Sequence, residues 1–369
     1  MIKRALLIGV VLLLIASLGA LLVWYAFFRT PFAQQYQHAV LQLEAQPASA
    51  HPILQRALRV YQNTPEFPAA LYHFARCETL LNPTNTAVWE AVLNCHTDRH
   101  ILAEARYHLA LHHPNRLAAL EAFVRDFPDH TTTPAILAEL AAAAEAQGDT
   151  LKTHFWWQLL VDRHPHSTEA RAAREKLGPL NIKLLCSPRP LPFTTKHTVQ
   201  RGETILAIAK RYTNTVDQIK RINNLKSDVI SPGVTLKIDL SRYLIDVSLS
   251  KHLLTLYRIW QNSTNFVKTY PIGTGKENNT PRGTFRITLR QQNPTWYRPG
   301  SAPIPFGSPE NQLGTRWLGI DAQGYGIHGT WEPETIGGPT SAGCIRMHNQ
   351  DVEELYDLVR VGTPVIIHD

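Results

Sequence analysis

"HGTWEPETIGGPTSAGCIRMHN", residues 328–349, places a histidine sixteen positions ahead of a cysteine in a tight Ser-Ala-Gly-Cys-Ile-Arg run. A thiol with a free pKa of about 8.5 is mostly protonated at neutral pH and needs a base or a positive field to act as a nucleophile. His328 closes the stretch "GYGIHG", and the loop from Gly329 to Thr340 is long enough to return Cys344 beside it. A thiolate–imidazole pair is the arrangement that activates such a nucleophile. Gly343 leaves the backbone before the sulfur uncrowded, so the amides of Gly343 and Cys344 are candidate oxyanion donors. Arg346, two residues on in an extended stretch, falls on the same side as Cys344. There it holds a substrate carboxylate or strengthens the positive field. Ser341 either orients His328 or forms the turn. The competing reading is a small buried cysteine after a turn, and spacing alone leaves both open.

The residues around the motif give a frame. "YLIDVSLSKHLLTLYRIW" followed by "FVKTYPIGTG" alternates as a hairpin of strands, and "TPRGTFRITLR", "WLGIDAQGYGIHGT" and "TPVIIHD" continue the rhythm. Only "NQDVEELYDLVRVG" reads as a helix, with Asn349 as its cap. Residues 242–369 are therefore predicted to form a mainly-β domain with one helix behind the motif. "HGTWEPETIG…SAGCIRMHN", with "YPIGTGKENNTPRGTFRI", "NPTWYRP" and "GTPVII", resembles the catalytic domain of the L,D-transpeptidase (YkuD-type) family. Ala342 departs from the pattern, since many members carry His between Ser and Gly.

The resemblance implies a cell-wall transferase. Cys344 attacks the carbonyl of the third residue of a tetrapeptide stem and expels the terminal D-alanine. The acyl group then passes to an amine, usually on another stem, giving a 3→3 cross-link. Water as acceptor would make a carboxypeptidase, and a protein lysine an anchoring enzyme. His328 is base and then acid; Ser341, Gly343 and Arg346 complete the expected site. Trp296, Tyr297 and the Pro- and Gly-rich stretch 298–309 are a candidate wall over the substrate groove, or a surface loop without a catalytic role. No metal-ligand spacing and no phosphate loop occurs, so neither metal nor diffusible cofactor is expected.

Residues 196–238 form a unit of their own. "HTVQ" is a short strand, Glu203 or Thr204 starts a helix, Thr215 caps a second one, and "VTLKI" returns as a strand after Ser231-Pro232-Gly233. This βααβ module resembles a LysM domain, through its "VQRGETILAIA" opening, "IKRIN" middle and "PGVTLKI" ending. The resemblance implies binding to N-acetylglucosamine-containing glycans such as peptidoglycan. Contacts are implied at Gly202, Glu203, Thr204 and Ile205 and at Asn224, Leu225 and Ile230; the structural alternative for Glu203 and Thr204 is a helix start.

From 32 to 178 the chain is rich in Ala, Leu, Arg and Glu at helical spacing. Gly148 stops one helix, and Asp149 or Thr150 caps the next. "FVRDFPDHTTTPAILAEL" and "LLVDRHPHSTEARAAREKL" set Pro128 and Pro165 thirty-seven apart, a period suited to helix hairpins and similar to tetratricopeptide repeats. An irregular bundle is the alternative. Either way the region is a spacer or a surface for a protein partner, with Trp156 and Trp157 as core aromatics. Residues 179–195, with four prolines, read as a linker.

Residues 5–28 carry no charge, enough helix to cross a bilayer core of about 20 residues. Lys3 and Arg4 outweigh Arg29, which keeps the N-terminus inside and exports the rest to the periplasmic or cell-wall side. A cleaved signal peptide is disfavoured because the apolar run continues nine residues past Gly19. The net charge of +7 is uneven: residues 196–238 hold 8 basic against 3 acidic side chains, while 242–369 hold 12 against 11. That local excess argues against a nucleic-acid partner and fits an anionic envelope. Export permits a Cys77–Cys95 bridge. The sequence thus predicts a multi-domain envelope protein: membrane anchor 1–30, helical region 32–178, linker 179–195, LysM-like module 196–238 and catalytic domain 242–369. The rival is a non-catalytic peptidoglycan-binding scaffold.

Overall fold

The computed structural model describes residues 30–298, 300 and 302–369. The membrane helix expected over 5–28 lies outside them; among the described residues no helix is long and apolar enough to cross a membrane. The chain divides between Ile136 and Leu137 into two compact units.

The first unit is helical: α1 (Thr30–Gln42), α2 (Pro47–Val60), α3 (Phe67–Leu81), α4 (Ala87–Cys95), α5 (Arg99–Leu111), α6 (Arg116–Asp126) and the start of α7 (Thr133–Ala146). Each helix buries one stripe. Leu43, Leu54, Ala57 and Tyr61 form one cluster, and Leu71, Ala75, Trp89 and Val92 another. The expected Cys77–Cys95 bridge is not formed. Cys77 is buried and donates to the Pro47 carbonyl at 3.3 Å, whereas Cys95 is an exposed free thiol.

In the second unit, α8 (Thr150–Arg163) starts at Asp149, whose carboxylate accepts from Leu151 and Lys152. Of the two expected core aromatics Trp157 is buried, whereas Trp156 is only half-buried and meets the exposed Phe155 ring edge-on. The predicted end of the helical region at 178 needs correction. α9 (Thr168–Leu185) runs through Pro179 to Leu185, so the linker begins only at Cys186. An interior proline costs about 3 kcal/mol through its lost hydrogen bond and ring clash. Burial of Leu177, Ile182, Leu184 and Leu185 offsets that local cost. The Lys237 ammonium then donates to the carbonyls of Leu185 and Ser187, both at 3.0 Å, a cation on the negative end of the helix.

The small module has the expected order: β1 (Thr194–Thr198), α10 (Ile205–Tyr212), α11 (Val216–Ile222) and β2 (Thr235–Asp239), with β1 and β2 antiparallel. Thr204 and Thr215 cap the two helices, accepting from Ala207 and Gln218. Ile205, Ile208, Ile219, Leu236 and Ile238 form its core.

The last part is built on an eight-stranded sheet in the order β11-β9-β8-β7-β12-β3-β4-β5. Its strands are β3 (Arg242–Ser248), β4 (Leu253–Trp260), β5 (Ser263–Pro271), β7 (Gly283–Gln292), β8 (Arg316–Ile320), β9 (Gly326–His328), β11 (Ile345–Arg346) and β12 (Pro364–His368). β6 (Thr274–Gly275) and β10 (Pro339–Ser341) form a separate parallel pair. The single helix behind the motif, α12 (Asn349–Leu358), buries Val352, Leu355, Tyr356 and Leu358 in the same core as Ile245, Leu256, Ile287 and Ile327. Asn349 is not its cap. Its side chain donates to Thr330 O at 2.9 Å and accepts from Thr315 N at 3.2 Å, tying together the loops before and after β8–β9.

β5 is a sheet edge, and unpaired edge carbonyls invite other chains. A register shift opposite Leu256 and Tyr257 turns carbonyls outward, where Asn181 of α9 donates to Phe266 O at 3.1 Å and Val267 O at 3.0 Å. Gly178 lets α9 approach, because a Cβ there would sit 2.9 Å from the Lys268 side chain. Replacing Asn181 with Ala strips two edge carbonyls of a buried donor, for an expected loss of about 1–3 kcal/mol. Urea denaturation of the variant against wild type checks this, and an unchanged midpoint would refute it.

Candidate active site

The motif is assembled by strand pairing. β11 runs parallel to β9 with Ile345 opposite Ile327 and Arg346 opposite His328. Arg346 therefore faces across to His328, and Cys344 stands in the bend two residues before Arg346. One strand spacing across and two residues along put the Cys344 and His328 backbones roughly 8 Å apart, within reach of their side chains.

The imidazole is buried. Its Nδ1 lies 2.6 Å from the carbonyl of Gly329, which must accept, so Nδ1 carries the proton and Nε2 the lone pair. Burial, with a smaller push from Arg346, lowers its pKa to about 4. Trp317, directly opposite His328 on β8, stacks on the ring at 5.8 Å between centroids. Cys344 is half-buried; burial raises its pKa, opposed by a hydrogen bond from the Gly326 backbone and by the Arg346 charge. Its thiol donates to Gly324 O at 3.6 Å. Burial thus favours the neutral form of both groups, thiol and imidazole.

Arg346 is buried, with its guanidinium 3.3 Å from Glu332 and 3.3 Å from Gln312. It thus joins the loop after β9 to the long loop before β8. That long loop is held closed at its base, where Trp296 and Ile304 exchange backbone hydrogen bonds and Asn311 donates to Pro294 O and Ile304 O.

Ser341 builds the turn rather than orienting the histidine: its hydroxyl donates to Cys344 O at 2.6 Å and accepts from Gly343 N at 3.0 Å. The Gly343 amide is therefore occupied, which leaves the Cys344 amide as the remaining donor of the expected pair. Gly343 sits at φ +145°, and a Cβ there would lie 2.6 Å from the Tyr325 ring, so only glycine fits. Ala342 is exposed at the tip of the turn. Trp317 is the neighbour that sequence spacing did not single out; strand register was the missing signal.

On the small module, the seven expected contact residues divide. Gly202 and Asn224 are exposed. Glu203 is committed to the fold through His197 at 2.8 Å, Gln200 N at 2.9 Å and Arg211 at 3.0 Å. Thr204 is a helix cap, Leu225 and Ile230 are half-buried against the module core, and Ile205 is buried, which removes its side chain from any ligand.

Residues 242–367 match the family model for the L,D-transpeptidase catalytic domain, and residues 197–239 that for the LysM domain. The putative L,D-transpeptidase YkuD of Bacillus licheniformis is 40% identical over 179 residues, covering 46% of this chain and 97% of that protein. The putative L,D-transpeptidase YkuD of Bacillus subtilis is 35% identical over 180 residues, covering 47% and 98%. Among solved structures, an L,D-transpeptidase from Mycobacterium smegmatis is similar at 20% identity and a TM-score of 0.29, over 38% of this chain and 65% of that one.

The neutral pair has a readable pH signature. Alkylation of Cys344 by iodoacetamide should be slow at pH 7, climb past pH 9 and show no inflection near 6.5, because the imidazole stays neutral down to about pH 4. A rate already level from pH 6 upward would instead demonstrate a resting thiolate–imidazolium pair.

Proposed function

The chain belongs to the L,D-transpeptidase family, and from that premise we propose that it forms 3→3 cross-links in peptidoglycan through a thioester on Cys344. The observation that supports this reading is the β9–β11 register, which pairs His328 with Arg346, two residues beyond Cys344, with the His328 Nε2 left as the acceptor nitrogen. As the sulfur attacks the stem carbonyl, its proton passes to Nε2. The Cys344 amide receives the oxyanion, and the Arg346 charge favours developing thiolate character. The imidazolium then protonates the departing amine of D-alanine, leaving the thioester and a neutral imidazole. An incoming amine gives up a proton to Nε2 as it attacks the thioester, and the sulfur departs with that proton as a thiol. Water in place of the amine yields the L,D-carboxypeptidase reaction.

LysM domains support peptidoglycan binding, and here Gly202 and Asn224 are the best-placed of the expected glycan contacts. A membrane helix over residues 5–28 would hold the enzyme at the extracytoplasmic face, with the helices before residue 136 as a spacer or partner surface. Tethering at both ends raises the effective concentration at the substrate.

The test uses the full chain in detergent with tetrapeptide-bearing muropeptides, read by mass spectrometry. Cys344→Ala and His328→Ala should each lower product formation by at least about 10³-fold. Product profiles equal to wild type for Cys344→Ala would end the enzyme reading and favour a binding scaffold.

A further inference from the structure

The LysM module is not hung on a flexible tether. Only Leu240 and Ser241 separate β2 from β3, and the fully buried Asp239 carboxylate stiffens the joint. It accepts from Tyr243 of the catalytic domain at 2.6 Å and from Gln218 of the module at 3.2 Å.

Away from the joint, α11 faces α12 through charge. Arg221 reaches Asp357 at 2.9 Å and Glu354 at 3.1 Å, and Glu354 also accepts from Lys268 at 2.6 Å and Tyr270 at 2.9 Å. The Thr215 hydroxyl donates to Asp357 O at 3.3 Å. These groups are largely shielded from water, where a forked guanidinium across two carboxylates is both strong and directional. The other end of α12 is tied by Asn349 to the loops that carry Thr315 and Thr330. The clamp leaves Arg201, Gly202, Thr204 and Leu206, and Asn224 and Lys226 on the second loop, exposed.

We propose that Arg221 is a positioning residue, clamping the LysM module onto α12 so that a glycan strand on the module's open loops and a stem peptide at Cys344 are presented in one fixed register. The enzyme would therefore favour stems carried on a continuous glycan strand over stems on a free disaccharide. This inference rests on the transpeptidase reading. A loose tether would also raise local concentration, but it would leave the strand free to present stems in many orientations. The clamp restricts those orientations.

The experiment compares the full-length wild type, Arg221→Gln and Arg221→Lys on two substrates: glycan strands bearing tetrapeptides, and the disaccharide-tetrapeptide released from them by muramidase. Arg221→Gln should raise KM on strands by about tenfold with kcat unchanged and should leave the disaccharide kinetics alone. Arg221→Lys, which keeps the charge without the fork, should fall between. Amide hydrogen exchange gives a readout independent of turnover: Arg221→Gln should speed exchange in residues 215–222 and 350–358 while β3, β4 and β7 keep their protection. Equal changes on both substrates, or none on either, would overturn the positioning role. A wild type inactive on both substrates would count against the transpeptidase reading; identical exchange in wild type and Arg221→Gln would count against the clamp itself.

Discussion

The pairing of two short parallel strands, β11 on β9, is the constraint on which the site depends. Two register positions, Ile345 with Ile327 and Arg346 with His328, decide which side chains share a face. A slip of one residue would send Arg346 and Cys344 to the opposite face and leave His328 beside apolar Ile345 or Met347. Several contacts resist that slip. The Arg346 backbone exchanges hydrogen bonds with Gly273 at 2.9 Å in both directions, and Met347 N donates to His328 O at 2.8 Å. Beneath them Ile327, Ile345 and Met347 are buried in the common core.

The turn before β11 is determined by close approach. Gly275 and Gly343 pass so near that a Cβ on Gly275 would lie 2.7 Å from the Gly343 Cα, while the Tyr325 ring closes the other side. Ser341 then uses both hydroxyl functions within the turn, donating to Cys344 O and accepting from Gly343 N. A serine in this position is best understood as scaffolding that fixes where the sulfur leaves the backbone. Arg346 extends the same logic outward by linking the loops that carry Glu332 and Gln312.

Local chemistry was legible in the sequence, and tertiary chemistry was not. Asp149, Thr204 and Thr215 were readable as caps because a cap needs only a side-chain oxygen and an amide two or three residues ahead. The strand rhythm of residues 242–369 was readable for a like reason, whereas spacing alone left the Cys–His pair open and only the family resemblance singled it out. The helix through Pro179 was not, since what sustains it is packing and the Asn181 bonds to β5 rather than propensity. Asn349 was read as a cap because it stands at a helix start; its side chain turns instead to Thr315 and Thr330, partners only the fold brings near. Trp317 stacking on His328 needed the β8–β9 register, which no spacing rule supplies.

The electrostatics of the site follow from its dryness. In a buried, low-dielectric setting, creating an imidazolium and a thiolate together is costly unless the charges meet partners at once. Burial therefore keeps both groups neutral at rest, and Arg346 adds an asymmetry by opposing positive charge on His328 while favouring negative charge on Cys344. That asymmetry suits a mechanism in which charge appears only as the carbonyl arrives. In the proposed reaction, negative charge would move from sulfur to an oxygen near the Cys344 amide, while the proton taken up by Nε2 would await a leaving amine. A thiolate present beforehand would bear the cost of a poorly solvated charge in that setting, and would be open to oxidation outside the cytoplasm. Protonated rest and charge on demand fit both the chemistry and the compartment proposed for it.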